Sequence, residues 1–318
     1  MRALSGMTMG KRRDARERLE RVMKAAAELG YQPSEIAKAL RKGRTRTIGL
    51  LVGSITNRYF ASLAETVMDE AEQHGYRMIL ELTRWNVEKS IFCLEHLQRS
   101  RVDGIFYASG HFPEERPCLE KLRNAGLPII MLYRNACGIA SVGRDHSVSL
   151  PLAVQSLAGK GVSNATLSVW DSRTPQDEVL MELFRNACRK YGIAPALHHP
   201  HSLDDMDALA DAAPPALICD APYCLKHFCS AIRGRQDYHP HIIGIYDEWN
   251  WLERPDSLCG AILLQSEKQI RLAVHELIGQ IEHHTEPDTL SIQSRFYCRE
   301  NFNDIPAKDL ASRHLFPF

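Results

Sequence analysis

A chain of 318 residues, with 44% hydrophobic side chains and 39 basic against 39 acidic groups, exceeds one ordinary core and suits two or three domains. The charge is unevenly placed: residues 1–46 hold 13 Lys/Arg and 5 Asp/Glu, a net of +8, and the remainder carries −8, so a basic nucleic-acid arm on a body that repels nucleic acid is expected. No run approaches the roughly 20 apolar residues of a membrane span, the N-terminus lacks a signal-peptide core, and the nine cysteines form no CxxC pair; the expectation is a cytoplasmic protein with reduced, mostly buried thiols and no membrane partner.

In chain order, a helix from Asp14 to Leu29 is stopped by Gly30, and Pro33 with Ser34 signals a fresh start. The next helix, Glu35 to Arg41, has only about two turns, with Ile36, Ala37 and Leu40 as a narrow apolar stripe beside Lys38, Arg41 and Lys42. So short a helix is marginal alone in water and is expected to order only against a partner copy or a nucleic acid. Arg41, Lys42, Arg44 and Arg46 crowd the linker before IGLLV, which reads as a strand buried on both faces.

From there strands and helices alternate. IGLLVG, YRMILEL, VDGIFYAS and PIIMLY read as strands, with YFASLAETVMDEAEQHG, VEKSIFCLEHLQRSR and CLEKLRNAG as the helices between them. A second unit repeats the rhythm: helix PLAVQSLAGKG, strand ATLSVWD, helix EVLMELFRNACRKYG, a weak strand near Ala196–His199, a short helix Asp204–Ala213, strand ALICD, a helix around Tyr223–Ile232 and strand HIIGIYD. AILLQSEKQIRLAVHELIGQIEHH then gives a strand and a long helix, and LSIQSRFYCREN a terminal strand. The fold class expected is α/β, with two doubly wound parallel-sheet subdomains preceded by a partial α-helical segment and a hinge helix. Ligands of such sheets bind beyond the carboxyl ends of the strands, here in the cleft between the halves.

GYQPSEIAKALRKGRTRTIGLLV resembles the hinge region of the lactose/galactose repressor family of bacterial transcription regulators, with a pattern of roughly GYxPNxxARxLRxGRTxTIGLxV, and similarity continues over most of the chain. The resemblance implies a core of the periplasmic-binding-protein type I fold. It also implies that paired hinge helices of a dimer enter the minor groove of an operator and that Leu40 wedges between base steps while Lys38, Arg41, Lys42 and Arg44 face phosphate. Residues 1–6, MRALSG, are similar to the end of the family's recognition helix. This implies a chain that begins inside an N-terminally truncated helix-turn-helix, through a misassigned start codon or a truncated regulator. The domains expected are 1–32, remnant of the DNA-binding domain; 33–46, hinge helix and linker; 47–148 with 265–290, first subdomain; and 149–264 with 291–318, second subdomain.

The same resemblance marks effector-binding candidates. Ser54, Tyr59 and Phe60 lie in SITNRYF, similar to a family segment whose aromatic residues stack on the effector; a helix-start staple in the core is the competing reading. Arg134 matches the arginine of an LDR segment, with Tyr133 in place of its acid. Asp145 in VGRD is a hydroxyl acceptor or a helix cap. Leu180 stands where the family has a clamping arginine, Tyr246 beside Asp247 where it has an aspartate, and Asp220-Ala221-Pro222 is a degraded NDxxAxG. Leucine cannot replace a bidentate arginine, so weak response to neutral sugars is expected, with preference for a more apolar or aromatic ligand, or one held through Arg134 or Arg144.

The function expected is a sequence-specific DNA-binding transcriptional regulator, a repressor, that answers a small-molecule effector such as a sugar or sugar derivative. Its partners are a double-stranded DNA operator and further copies of itself in a homodimer or tetramer. A solute-binding sensor of the same core without DNA binding is the alternative. No Ser/His/Asp or Cys/His order, P-loop or GxGxxG appears, so neither an enzyme nor a cofactor is expected. His198-His199-Pro200-His201, His239-Pro240-His241 and His283-His284 lack ligand spacing, so no metal is expected.

Overall fold

The computed structural model describes residues 44–109, 113–132, 138–170 and 175–306, with residues 18, 20, 21, 24 and 28 as single helical positions. Residues 1–45 and 46–318 are separate compact units. The hinge candidates Lys38, Leu40, Arg41 and Lys42 lie outside the described residues, as does Arg134; Arg44 is half-buried and outside any helix or strand.

Within residues 46–318 the chain forms β1 (Thr47–Val52), α1 (Arg58–Gln73), β2 (Arg77–Leu82), α2 (Val87–Arg99), β3 (Gly104–Ala108), α3 (Arg116–Asn124), β4 (Ile129–Leu132) and β5 (Ala140–Asp145). It continues with α4 (Ser149–Gly159), β6 (Asn164–Ser168), α5 (Pro175–Tyr191), β7 (Ala194–His198), α6 (Leu203–Ala212), β8 (Ala216–Cys219), α7 (Pro222–Ala231), β9 (His241–Tyr246) and β10 (Leu258–Leu263). Helix α8 (Ser266–His283), β11 (Thr289–Gln293) and β12 (Arg295–Cys298) complete it.

Two six-stranded sheets result, in the orders β11-β5-β4-β3-β1-β2 and β12-β10-β9-β8-β6-β7. All pairings are parallel except β12 against β10. The orders are equivalent: in each sheet the first strand of the half, β1 or β6, lies between the second and third, so the winding reverses there and a crevice opens at the strand carboxyl ends.

The alternation of side chains along β1 accounts for the layers. Ile48, Leu50 and Val52 join the core under α1 and α8, and Leu51 joins the opposite core under α2 and α3 with Ile105, Tyr107 and Met131. The second sheet repeats this, Leu167 and Ile218 facing α4 and α5 while Leu217 and Ile242 face α6 and α7. Each fully buried Leu or Ile contributes about 1.5–3 kcal/mol, which is why a continuous apolar run such as IGLLV settles as a central strand. Asn57 caps α1 by accepting from the Tyr59 N–H at 2.9 Å, and Asn86 caps α2 by accepting from the Lys89 N–H at 2.8 Å.

Two features differ from the sequence expectation. AlaSerValGlyArgAsp, considered only as a binding motif, is the strand β5, with Gly143, Arg144 and Asp145 at its half-buried carboxyl end. The terminal segment is two strands: β11 closes the first sheet and β12 the second, with Ser294 between them, so the passage falls at Ser294 instead of after residue 290. Alternating hydrophobicity runs through both strands without a break, and only their pairing partners separate them.

A candidate effector cleft

Three chain passages connect the subdomains, β5 to α4, β10 to α8, and β11 to β12, and the first and last of them meet at one serine. The Ser294 N–H donates to the Asp145 carbonyl at 2.8 Å, and its hydroxyl lies 2.9 Å from His146 Nδ1 and 2.6 Å from Ser149 Oγ. The passage from β10 to α8 joins through Gln265, whose side-chain amide donates to the Gln293 carbonyl, next to Ser294, at 2.6 Å. Burial and the neighbouring charge of Arg144 push His146 down to about 4, which keeps this junction neutral around pH 7.

Beyond the carboxyl end of β1 stands an aromatic wall. Tyr59 is buried at the start of α1, its ring 5.1 Å from Phe60 and 5.7 Å from Trp249. Phe60 in turn contacts Trp85 at 5.3 Å. The Trp85 indole lies over Gly53, where an added Cβ would stand 2.3 Å from the ring. Arg84 and Trp85 both adopt positive φ, 54° and 57°, a conformation that costs non-glycine residues energy and turns the indole back over the strand end. Half of Trp85 is exposed, so an aromatic face remains open.

The polar groups come from both subdomains. Arg144, at the end of β5, holds its guanidinium carbon 5.6 Å from the centre of the Tyr59 ring. Its charge also acts on Asp220, after β8, and on Asp247, after β9. Burial nevertheless dominates, raising Asp220 to about 7 and Asp247 above the usual carboxylate range. Asp220 accepts from the Trp170 N–H at 3.1 Å, and Asp247 accepts from Asn250 twice, at 2.9 and 2.7 Å. Glu248 is raised to about 8 by burial, and accepts from the Ser266 N–H at 3.0 Å at the start of α8, where the helix dipole favours an anion. Trp170 and Tyr223, 5.1 Å apart, provide aromatic surface in the second subdomain, and Arg58 meets Glu253 at 3.2 Å between the subdomains.

The effector candidates therefore separate. Tyr59, Phe60, Asp145 and Asp247 lie at the strand ends and helix starts that border the crevice, as does Ser54, whose hydroxyl is 2.9 Å from that of Thr56. Asp145 accepts from the Ser147 N–H at 2.8 Å, so the turn into α4 uses one of its oxygens. Leu180 is in the apolar core with Phe184 and Leu167, and Tyr246 is in another core beside Trp251 at 6.0 Å; neither is grouped with the polar residues of the crevice. The reason is strand and helix phase, which turns Leu180 on α5 and Tyr246 on β9 inward. Trp85, Trp249, Glu248 and Trp170 were not singled out from sequence. The three tryptophans share a place within three residues of a strand end, and nothing local marks Glu248.

The arrangement offers carboxylates that accept hydrogen bonds, the guanidinium of Arg144 and aromatic faces for a ring. Among the described residues, no helix is long and apolar enough to cross a membrane.

The chain is 34% identical over 137 residues to the ribose operon repressor of Bacillus subtilis (strain 168), a stretch covering 43% of this chain and 40% of that protein. It is 31% identical over 147 residues to catabolite control protein A of Priestia megaterium, covering 46% and 44%. The chain thus spans less than half the length of these curated relatives. In fold it is similar to the Cra transcriptional dual regulator from Pseudomonas putida, solved in complex with fructose 1-phosphate, with a TM-score of 0.70 and 19% identity over 80% of this chain and 98% of that one. A ribose operon repressor structure from Burkholderia thailandensis gives 0.70 and 21%, over 80% and 100%. Residues 45–218, more than half of the chain, match the model described as periplasmic binding proteins and sugar binding domain of LacI family, and the chain belongs to that family.

Proposed function

We propose that the chain is a sequence-specific DNA-binding transcriptional repressor whose affinity for an operator is set by a small molecule in the cleft between its subdomains. The observation that carries this reading is continuity: a basic segment with a family-like hinge pattern runs directly into β1, the first strand of a two-lobed α/β fold. In this reading residues 33–46 are the hinge, with Leu40 as minor-groove wedge and Lys38, Arg41, Lys42 and Arg44 on phosphate. Two copies pair their hinge helices on a palindrome. A ligand that prefers one angle between subdomains changes the spacing of those helices, and its differential affinity for the two states is the switch.

The cleft supports a ring-bearing effector with hydrogen-bond donors. Phe60 and Trp85 offer ring faces backed by the buried Tyr59, Asp145, Asp220 and Asp247 accept from hydroxyl or amino groups, and Arg144 or Arg134 anchors an acidic substituent. Plain hexoses, which lack an extended apolar face, bind weakly.

The test is fluorescence anisotropy of the protein as produced from its own locus, on the DNA flanking its gene, combined with a thermal-shift screen of small metabolites. The expected result is a ligand that raises the melting temperature and shifts operator affinity, with DNA reciprocally shifting ligand affinity. Ligand binding without any DNA affinity would favour a solute-binding sensor and overturn the proposal.

A further inference from the structure

Away from the cleft, α1 and α8 bring together a constellation that effector binding does not use. Glu70 and His74, four residues apart, lie on one face at the end of α1, and His275 projects from α8. One donor atom from each of the three falls within 4.8 Å of the others, the only such His/Cys/Asp/Glu trio of this kind among the described residues. Glu70 Oε1 is 3.1 Å from His275 Nε2, and the rings of His74 and His275 stand edge to face at 4.9 Å.

We propose that Glu70, His74 and His275 form a binding site for a borderline divalent transition-metal ion of the Zn²⁺ class, which ties α1 to α8. Two imidazoles and a carboxylate are a donor set this class accepts, with water in the fourth position. Bonds of about 2.0–2.2 Å in a tetrahedral shell place neighbouring donors about 3.3 Å apart, which the Glu70–His275 pair already matches. His74 supplies the second imidazole, its donor atom within 4.8 Å of the other two. Arg271 holds the other Glu70 oxygen, and is itself bonded to Glu267 at 2.9 Å, so the carboxylate is fixed with Oε1 turned toward the histidines. Access is open, since the His275 side chain is 56% exposed while that of Glu70 is 6% exposed. Hard ions such as Mg²⁺, which favour an octahedral oxygen shell, do not fit these donors.

The experiment is calorimetric titration of the tag-free, chelator-stripped full chain with zinc chloride in excess Mg²⁺, repeated with His74→Ala, His275→Ala and the control His199→Ala. The His74 cap of α1 is made by its backbone N–H to the Ala71 carbonyl at 3.1 Å, so His74→Ala retains it; circular dichroism checks each fold. The proposal expects one equivalent of zinc, affinity weakened at least about tenfold in each site variant and unchanged in His199→Ala. Cobalt substituted at the site should give a tetrahedral visible spectrum without thiolate charge transfer. No uptake at large zinc excess, undiminished affinity in both site variants, or a thiolate band that assigns the metal to cysteine would each overturn it.

Discussion

The indole of Trp249, on the chain leaving β9 in the second subdomain, stands 5.7 Å from the ring of Tyr59 at the start of α1 in the first. Trp249 is only 3% exposed and belongs to the core that α1 builds with the first sheet. One subdomain therefore contributes a side chain to the other's interior, at the rim of the crevice.

Removing that ring should uncouple the halves. Trp249→Ala is expected to cost about 3–5 kcal/mol, while Trp249→Phe, which keeps a ring, costs distinctly less. Urea unfolding followed by tyrosine and tryptophan emission measures this; an unchanged midpoint in the alanine variant would show that the contact does not hold the subdomains.

Arg144 faces Asp220 and Asp247, and its charge lowers both against the rise that burial imposes. In Arg144→Met both acids should rise further and His146 should be relieved of a like charge. All three changes favour the protonated forms, so the variant's stability deficit should be small near pH 5 and grow toward pH 8. Melting curves across that range decide it, and a deficit that shrinks with rising pH contradicts the arrangement.

Asp220, raised to about 7, is held protonated by the fold over a range where the unfolded chain ionises it. Its destabilising contribution is absent below the ordinary carboxylate range, develops as pH rises, and is complete above about 7. Asp220→Asn can still accept from Trp170, so it should match the parent near pH 4 and melt a few degrees higher at pH 8, while binding effector more weakly. Equal melting temperatures at pH 8 would count against a desolvated, reluctant carboxylate.

Ser294 joins the crossovers through Asp145, His146 and Ser149. Ser294→Ala leaves the buried Ser149 hydroxyl and the buried His146 ring without this partner, which should lower stability by about 1–3 kcal/mol. Chemical denaturation gives the value, and the same variant should blunt any effector-induced change in DNA affinity. A neutral substitution on both counts would place the hinge elsewhere.

Local signals were strong where they were also sufficient. Apolar runs such as IGLLV and the apolar spacing of segments such as YFASLAETVMDEAEQHG act within a few residues, so strand and helix alternation and the two-lobed fold were legible. The junction at Ser294 was not, because a single polar residue between two alternating segments carries no mark of which sheet each will join.

The sequence by itself determined the two repeated α/β halves, the basic segment ahead of β1 and the acidic body, since periodicity, caps and charge are properties of neighbouring residues. Only the tertiary structure decided that Leu180 and Tyr246 turn into cores, that Arg144 sets its charge against two carboxylates from the other subdomain, and that Glu70 and His74 meet a histidine some two hundred positions later in the chain. Those outcomes depend on helix phase and on which surfaces pack across the crossovers, and burial energy summed over the whole core fixes them, not any local pattern.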